Sequence, residues 1–433
     1  MDTLKQKELE AQLNAPRKHT RLQALETLGA MLKQGSIPAP VKVRNVNNHI
    51  HTSYSFSPYS PCLALWKAYQ AGLETAGIMD HDSVAGAEEF LKGSNLLKMP
   101  VTVGMECRCS MQRSALADKT INNPDQPGIA YTAIHAIPRS ALPRINSFFK
   151  PLREARNERN RAMTANLNKI LVLPELKLDF EKDVLPLSQA HAGGSVTERH
   201  LLFALACRLV ACFSRGEKLT AFLERELDIN LKQKQLELLQ APDNPYYEYD
   251  LLGVLKSCLV AAFYIPAAKE TPPVKEVLEL CAQTGAVSAY AYLGDVTDSL
   301  TGDKKAQQFE DSYLELLFSE IKKLGFKAVT YMPSRNTTAQ LKRLTRLCRA
   351  YGFMEISGED INSPRQSFIC EALKQKRFAN LFDAAWALIG SEQQGAAQPG
   401  RTLFSPETEK LYPDLESRIK AFSEAGRQVF AGG

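Results

Sequence analysis

Seven histidines occur in this chain of 433 residues, and two of them, His49 and His51, stand two apart in VNNHIHTSYSFSP. Two imidazoles on the same side of a strand end, facing a loop of hydroxyls, are suited to holding a metal ion. His81 follows in GIMDHDS with Asp80 beside it, and His135 lies at the end of the apolar run IAYTAIHAIP. Acids recur at comparable places, Glu106 in VTVGMECR and Asp360 in ISGEDINSP. Imidazole and carboxylate together suit zinc, manganese or iron, and carboxylates can bridge two ions. The competing account is a hydrogen-bonded polar network. It serves for His19 or His191 taken alone, but poorly for four histidines and three acids placed alike.

Residues so far apart in sequence need a scaffold that gathers them. Short apolar runs at Val43–Ile50, Thr75–Met79, Val101–Cys107, Ile129–Ile137, Ala286–Tyr292, Phe326–Tyr331 and Phe353–Ser357 alternate with helical patterns. Seven strands, mostly separated by helices, predict a parallel α/β barrel or sheet. In a parallel barrel the C-terminal strand ends converge on one rim. His49, His51, His81 and His135 fall at the ends of strands 1, 2 and 4, so they and the acids are expected to meet there. The helix after the opening motif has Ser60 as its cap, Pro61 in its first turn and Gly72 at its end.

Residues 1–40 read as an N-terminal helical arm, broken at Pro16. The barrel occupies 41–139 and 284–370. Between them, 140–283 reads as a helical insertion, including LREARNERNRAMTANLNKIL and TERHLLFALACRLVACF. Leaving from the C-terminal end of a strand, it is expected to lie over the rim, where it would screen substrates and exclude water. Residues 371–433 form a further helical extension with a Gly/Gln-rich link at GSEQQGAAQPG.

Composition is that of a globular chain, 44% hydrophobic and 23% charged. The net charge of +5 admits an anionic substrate but comes without the dense Lys/Arg tracts of proteins that coat long nucleic acid. No run of about 18 apolar residues is present, so no membrane span is expected. The opening MDTLKQKELEAQLNAPRKH lacks an apolar signal core, and the expected location is the cytoplasm. Nine cysteines, an odd number without zinc-finger spacing, predict reduced thiols. Cys107 and Cys109, at alternate strand positions, are expected to pack rather than ligate. No nucleophile elbow, Walker loop or dinucleotide fingerprint occurs, which argues against serine hydrolases, kinases and nicotinamide enzymes. Oligomeric state is left open.

HIHTSYS, MDHDS, GMEC, IHAIP and GEDIN, in this order, resemble the polymerase and histidinol phosphatase (PHP) superfamily over residues 43–139 and 284–368. The resemblance implies a distorted seven-stranded β/α barrel, TIM-like in form, holding one to three divalent ions (manganese, zinc or iron) that hydrolyse a phosphate ester. It implies metal ligands at His49, His51, His81, Glu106 and Asp360, with His135 and Asn362 as further candidates, and a supporting acid at Asp80. Arg335 in YMPSRNT and Arg365 in INSPRQSF fall just past strands 6 and 7, where they would neutralise a small phosphorylated substrate; a solvated or helix-capping role fits each equally. LREARNERNRAM and VTERHLLFALA resemble helical inserts of the branch that cleaves nucleotides and short RNA. By that similarity Arg199 and His200 are substrate-binding candidates, followed by Arg156 and Arg159. Glu198 beside Arg199 equally fits an ion pair within the helix or a solvated face.

Three positions depart from the family pattern. Ser57 stands where an acid is common, Tyr292 where AHP has its histidine, and Asn362 where the closing D-x-H ends. Tyrosine can hydrogen-bond a phosphate and asparagine can offer a carbonyl oxygen, but the site carries fewer anionic ligands. Two functions follow. One is a divalent-metal-dependent phosphoesterase acting on a small phosphorylated metabolite or nucleotide. The other is a catalytically degenerate barrel that binds or senses a phosphorylated ligand.

Overall fold

The computed structural model describes residues 2–295, 310–398 and 400–431. Its centre is one seven-stranded sheet in sequential order: β1 (Val46–Ile50), β2 (Thr75–His81), β3 (Val101–Ser110), β4 (Ile129–His135), β5 (Val287–Tyr292), β6 (Ala328–Tyr331) and β7 (Met354–Ser357). The sheet curls into a nearly closed barrel. At the seam His51 N donates to Ile361 O at 2.9 Å and Ile361 N to His49 O at 3.1 Å. Gly358 allows this approach, because a Cβ there would stand 2.6 Å from the Cβ of His49.

Helices alternate with the strands. Ahead of the barrel come α1 (Asp2–Gln12) and α2 (Lys18–Lys33), parted at Pro16; within its first half are α3 (Pro61–Gln70) and α4 (Ala87–Leu97). The start of α3 matches expectation: Ser60 Oγ accepts from Leu63 N at 3.1 Å, with Pro61 opening the helix. The arm packs into the helical layer, where Arg21 makes a buried pair with Glu89 of α4 and Leu25 and Leu28 join the main core. The insertion contributes α5 (Leu142–Ile170), α6 (Glu198–Phe213), α7 (Glu217–Glu226), α8 (Gln233–Gln240) and α9 (Tyr247–Phe263). Most of its apolar residues form a cluster of their own, which Phe56 of the opening loop joins, while Leu142, Ile145 and Phe149 at the start of α5 belong to the main core. The chain continues through α10 (Val274–Thr284), α11 (Leu314–Leu324), α12 (Thr338–Tyr351), α13 (Ala379–Ala397), α14 (Pro406–Leu411) and α15 (Leu415–Ala431). Among the described residues no helix is long and apolar enough to cross a membrane.

One strand direction corrects the sequence expectation. β1–β3 are parallel and so are β5–β7, but β4 runs antiparallel to both its neighbours. A parallel return needs a crossover, usually helical. The connection from β3 to β4 instead carries the turn formers NNPDQPG and no helix. Asn122 pins it by exchanging hydrogen bonds with both the N–H and the C=O of Tyr131. The C-terminal end of β4 therefore points to the base of the barrel, taking His135 and the start of α5 with it. The insertion still reaches the rim by another route. α5 has 29 residues, roughly 43 Å of helix, and climbs the barrel wall until Arg153 and Arg156 meet Asp82 just past β2.

The C-terminal extension also differs from expectation. GSEQQGAA is not a link but the second half of α13, which packs Ala384, Ala387 and Leu388 against Ala133, Val287, Ala289 and Ala328 of the strands. Glycine is required there for packing rather than flexibility. A Cβ on Gly390 would lie 2.0 Å from Phe422 O of α15, and one on Gly426 would lie 2.4 Å from Trp386 O. The two helices cross closely at these glycines and close the base.

Candidate metal centre

At the rim, β1 delivers His49 and, one residue past its end, His51; β2 delivers His81, β3 delivers Glu106, and the loop after β7 delivers Asp360. Inward-facing strand positions alternate, so His49 and His51 share a face. Glu106 Oε1 is the meeting point. His49 Nε2 lies 3.4 Å from it, His51 Nε2 3.1 Å and His81 Nδ1 3.2 Å. Asp360 Oδ1 stands 3.1 Å from His51 Nε2. The rings also touch: His49 and His51 have centroids 5.0 Å apart, and His51 and His81 stack at 4.7 Å.

Two observations favour a candidate cation site over a purely hydrogen-bonded knot. His51 Nε2 is close to two carboxylate oxygens but aligned with neither as a donor, and among the described residues it has no hydrogen-bond partner of proper geometry. Donors placed about 2.0–2.1 Å from one tetrahedral ion stand about 3.3–3.4 Å from each other, close to the spacing found here. His49, His51 and Glu106 place one ligand atom each within 4.8 Å of one another. The second observation is charge. Burial opposes ionisation of Glu106, but His81 and His49 outweigh it and hold the carboxyl well below its ordinary range. Asp360 is likewise held low, against burial, by His51. Burial also opposes a charged His51, yet Asp360 and Glu106 push its ring up to about 10. The buried Glu106 carboxylate and the partly exposed Asp360 beside it thus call for positive charge, and a proton on His51 supplies part of what a divalent ion would supply in full. His81 goes the other way, pushed by burial down to about 3, so it is a neutral donor of the kind a metal takes.

Asp80 stands behind the cluster. It accepts from Thr52 N, Thr52 Oγ1 and Ser55 Oγ, each at 2.7 Å, while burial raises its proton affinity. Ser55 Oγ in turn lies 3.3 Å from His51 Nδ1. Since Ser55 gives its proton to Asp80, its oxygen accepts from His51 Nδ1–H, which leaves Nε2 facing the cluster. Asp80 therefore supports His51 rather than its sequence neighbour His81. The hydroxyls at 52 and 55, ordinary loop residues by sequence, complete that support.

The other expected site residues are placed differently from the sequence expectation. His135 sits two residues below Ala133, the cross-strand partner of Glu106, on the same face of the reversed β4. It is buried, pushed down to about 3 by that burial, with both ring nitrogens unpartnered among the described residues. Asn362 reaches the cluster with the wrong atom for ligation. Its Nδ2 donates to Asp360 Oδ1 at 2.7 Å, and its Oδ1 accepts from Arg199 Nη1 at 2.8 Å. Tyr292 faces away and donates to Asp311 Oδ1 at 2.6 Å. Ser57 Oγ accepts from Tyr59 N in its own loop.

The cations divide. Arg335 donates to Leu293 O and faces the Asp360 side; burial lowers its proton affinity, and Glu310 and Asp360 partly restore it. Arg365 is engaged by the insertion, with two 2.7 Å bonds to Asp250 and its guanidinium over Tyr246. His200 turns back on its own helix start, accepting from Thr197 N at 2.9 Å, with its edge on Phe56. Burial, then Arg156, pushes it down to about 3. Glu198 is partly buried and pairs outside its own helix. It meets Arg159 at 2.7 Å, Arg156 at 3.4 Å and Arg108 at 3.5 Å in a buried network that includes Glu270 and Asp82. Arg108 and Asp82 were not singled out by sequence, although each lies within a quoted motif, VTVGMECR and GIMDHDS. Cys107 and Cys109 are buried free thiols on the opposite face of β3 from Glu106.

No protein-family model matches the chain, and no curated protein matches it in sequence. Among the solved structures that share part of its course are two described as hydrolases. One, from Bifidobacterium adolescentis and described as a "putative metal-dependent phosphoesterase", is 18% identical, with a TM-score of 0.49, covering 78% of this chain and 96% of its own. The other, an amidohydrolase from Chromobacterium violaceum with bound sulfate and no metal, is 16% identical, with a TM-score of 0.47, covering 76% and 90%. At that distance neither lends its chemistry to this chain, and the case for a metal centre rests on the side chains above.

Proposed function

We propose that this chain is a divalent-metal-dependent phosphoesterase of the PHP type, acting on a small phosphorylated metabolite or nucleotide. The observation that carries the proposal is the convergence of three imidazoles on Glu106 Oε1, with Asp360 beside His51. His49, His51 and Glu106 would hold the ion, with His81 and Asp360 completing its surroundings. When bound, manganese, zinc or iron would polarise a phosphoryl oxygen and lower the pKa of water. Asp80, acting through Ser55, keeps His51 in the tautomer that presents Nε2. Arg335 is placed to meet negative charge near Asp360. The insertion covers the rim and limits the substrate to one small enough to pass beneath it. A soluble, cytoplasmic enzyme without a membrane or long nucleic-acid partner fits this reading.

The alternative, a barrel that binds a phosphorylated ligand without turning it over, draws support from Ser57, Tyr292 and Asn362, none of which offers a ligand atom to the cluster. Metal analysis of protein purified without chelator, followed by manganese-dependent hydrolysis of an aryl phosphate, nucleotides and sugar phosphates, separates the two. Turnover that His51→Ala abolishes is the expected result. Bound metal and tight ligand binding without turnover would establish the alternative, and protein that takes up no divalent metal would defeat both.

A further inference from the structure

Asn362 is constrained from two sides. Arginine has only donors and an ionised carboxylate only acceptors, so the amide oxygen must face Arg199 and the amide nitrogen must face Asp360. The backbone N–H of Asn362 is held as well, by Gln366 Oε1 at 2.8 Å. The line Arg199–Asn362–Asp360–His51 therefore runs from the insertion to the centre of the cluster, through contacts of 2.8, 2.7 and 3.1 Å. The opposite side of the mouth repeats the arrangement. Asp82, next to His81, has φ +52°, a left-handed conformation that residues other than glycine seldom adopt. Arg153 Nη1 holds its carbonyl at 2.8 Å, and Arg156 pairs with its carboxylate. By contrast, the support of His51 through Ser55 and Asp80 lies wholly within the barrel.

We propose that Arg199 is a positioning residue for the metal centre: by fixing the amide of Asn362 it aims Asp360 at the cluster, so that the docked insertion sets the affinity for the ion. This rests on the cluster being a metal site. It assigns Arg199 a task before any substrate arrives, and it gives Asn362 the task of a coupler in place of a ligand. Without Arg199 the amide is free to turn its oxygen toward Asp360, which repels the carboxylate instead of holding it. Groups that orient metal ligands typically change metal affinity by about 10–100-fold when removed.

The test is manganese affinity of the full chain, stripped of metal and titrated against a competing indicator, with no substrate present. Arg199→Met and Asn362→Ala should each weaken binding by about 10–100-fold. The double variant should be no weaker than Asn362→Ala alone, because both changes break one line. Arg199→Lys, which can still donate to the amide oxygen, should recover much of the loss, and it carries the test if Arg199→Met folds poorly. Affinity unchanged in Arg199→Met, or losses that add in full in the double variant, would overturn the relay while leaving the metal site standing. Wild-type protein that binds no manganese would instead remove the site itself, and the relay with it.

Discussion

Glu106 at the mouth and Glu392 at the base are buried carboxylates at opposite ends of one barrel, and their surroundings drive them in opposite directions. Three imidazoles surround Glu106 and hold it ionised well below the ordinary range. Glu392, on α13, meets no cation among the described residues. It accepts from Thr102 Oγ1 and from Val103 N at 2.8 Å, and burial pushes it well above the ordinary range. Burial alone favours the neutral acid; only neighbours can reverse it. The mouth is thus an assembly of charges awaiting a partner, and the base is a seal made by shape. The same substitution at the two ends should therefore have unlike effects. Glu106→Gln removes the charge on which the histidines converge. Manganese affinity should fall by more than about 100-fold, beyond the usual effect of supporting residues. Glu392→Gln should leave that affinity unchanged. Equal losses from the two would show that the ends of the barrel are not chemically distinct.

A second change probes the seal alone. Gly390→Ala drives a Cβ into Phe422 O, and backbone cannot yield as a flexible side chain does. Overpacking of this kind costs roughly 1–3 kcal/mol. The expected outcome is a lower urea midpoint with manganese affinity intact. A concomitant loss of metal binding would mean that the base and the mouth are coupled through the strands.

This contrast also explains what could be read from sequence. All seven strands were legible, because apolar runs bounded by turn residues mark them, and so was the start of α3 through Ser60 and Pro61. The cluster was legible because His49, His51, His81 and Asp360 each stand at the C-terminal end of a parallel strand or just beyond it, and Glu106, mid-strand in β3, pairs in register with His81 at the end of β2. His135 looked equivalent in one dimension and is not, since its strand is reversed. Nothing in IAYTAIH records direction; the missing helix in the preceding connection does, and its weight shows only once the neighbouring strands are paired. The glycines of GSEQQGAA read as a link because local propensity disfavours them in helices. The tertiary demand for close approach to α15 overrides that preference. Arg365 and Arg335 were placed alike by sequence, yet Asp250, more than a hundred positions away, engages the first. Partners supplied by the insertion are the part that spacing along the chain cannot show.

The smallest effect concerns Glu392 and pH. Its folded-state proton affinity lies above that of the unfolded chain, whose ordinary value is 4.5. The folded form therefore holds its proton where the unfolded form has released it. The resulting stabilisation is present at and below about pH 4.5 and is lost as pH rises toward the folded value, at a rate of at most about 1.4 kcal/mol per pH unit. The amide that Glu392→Gln introduces stays neutral throughout, and its oxygen can accept from both Thr102 and Val103. The variant should gain on the wild type as pH rises from about 5 to about 8, measured as the difference between their urea midpoints. Any ion at the mouth contributes its own pH dependence equally to both proteins, so the difference isolates the base. A gap between the two that stays constant across this range would mean that Glu392 ionises in the folded protein as readily as in water, and that a cation or water reaches the base after all.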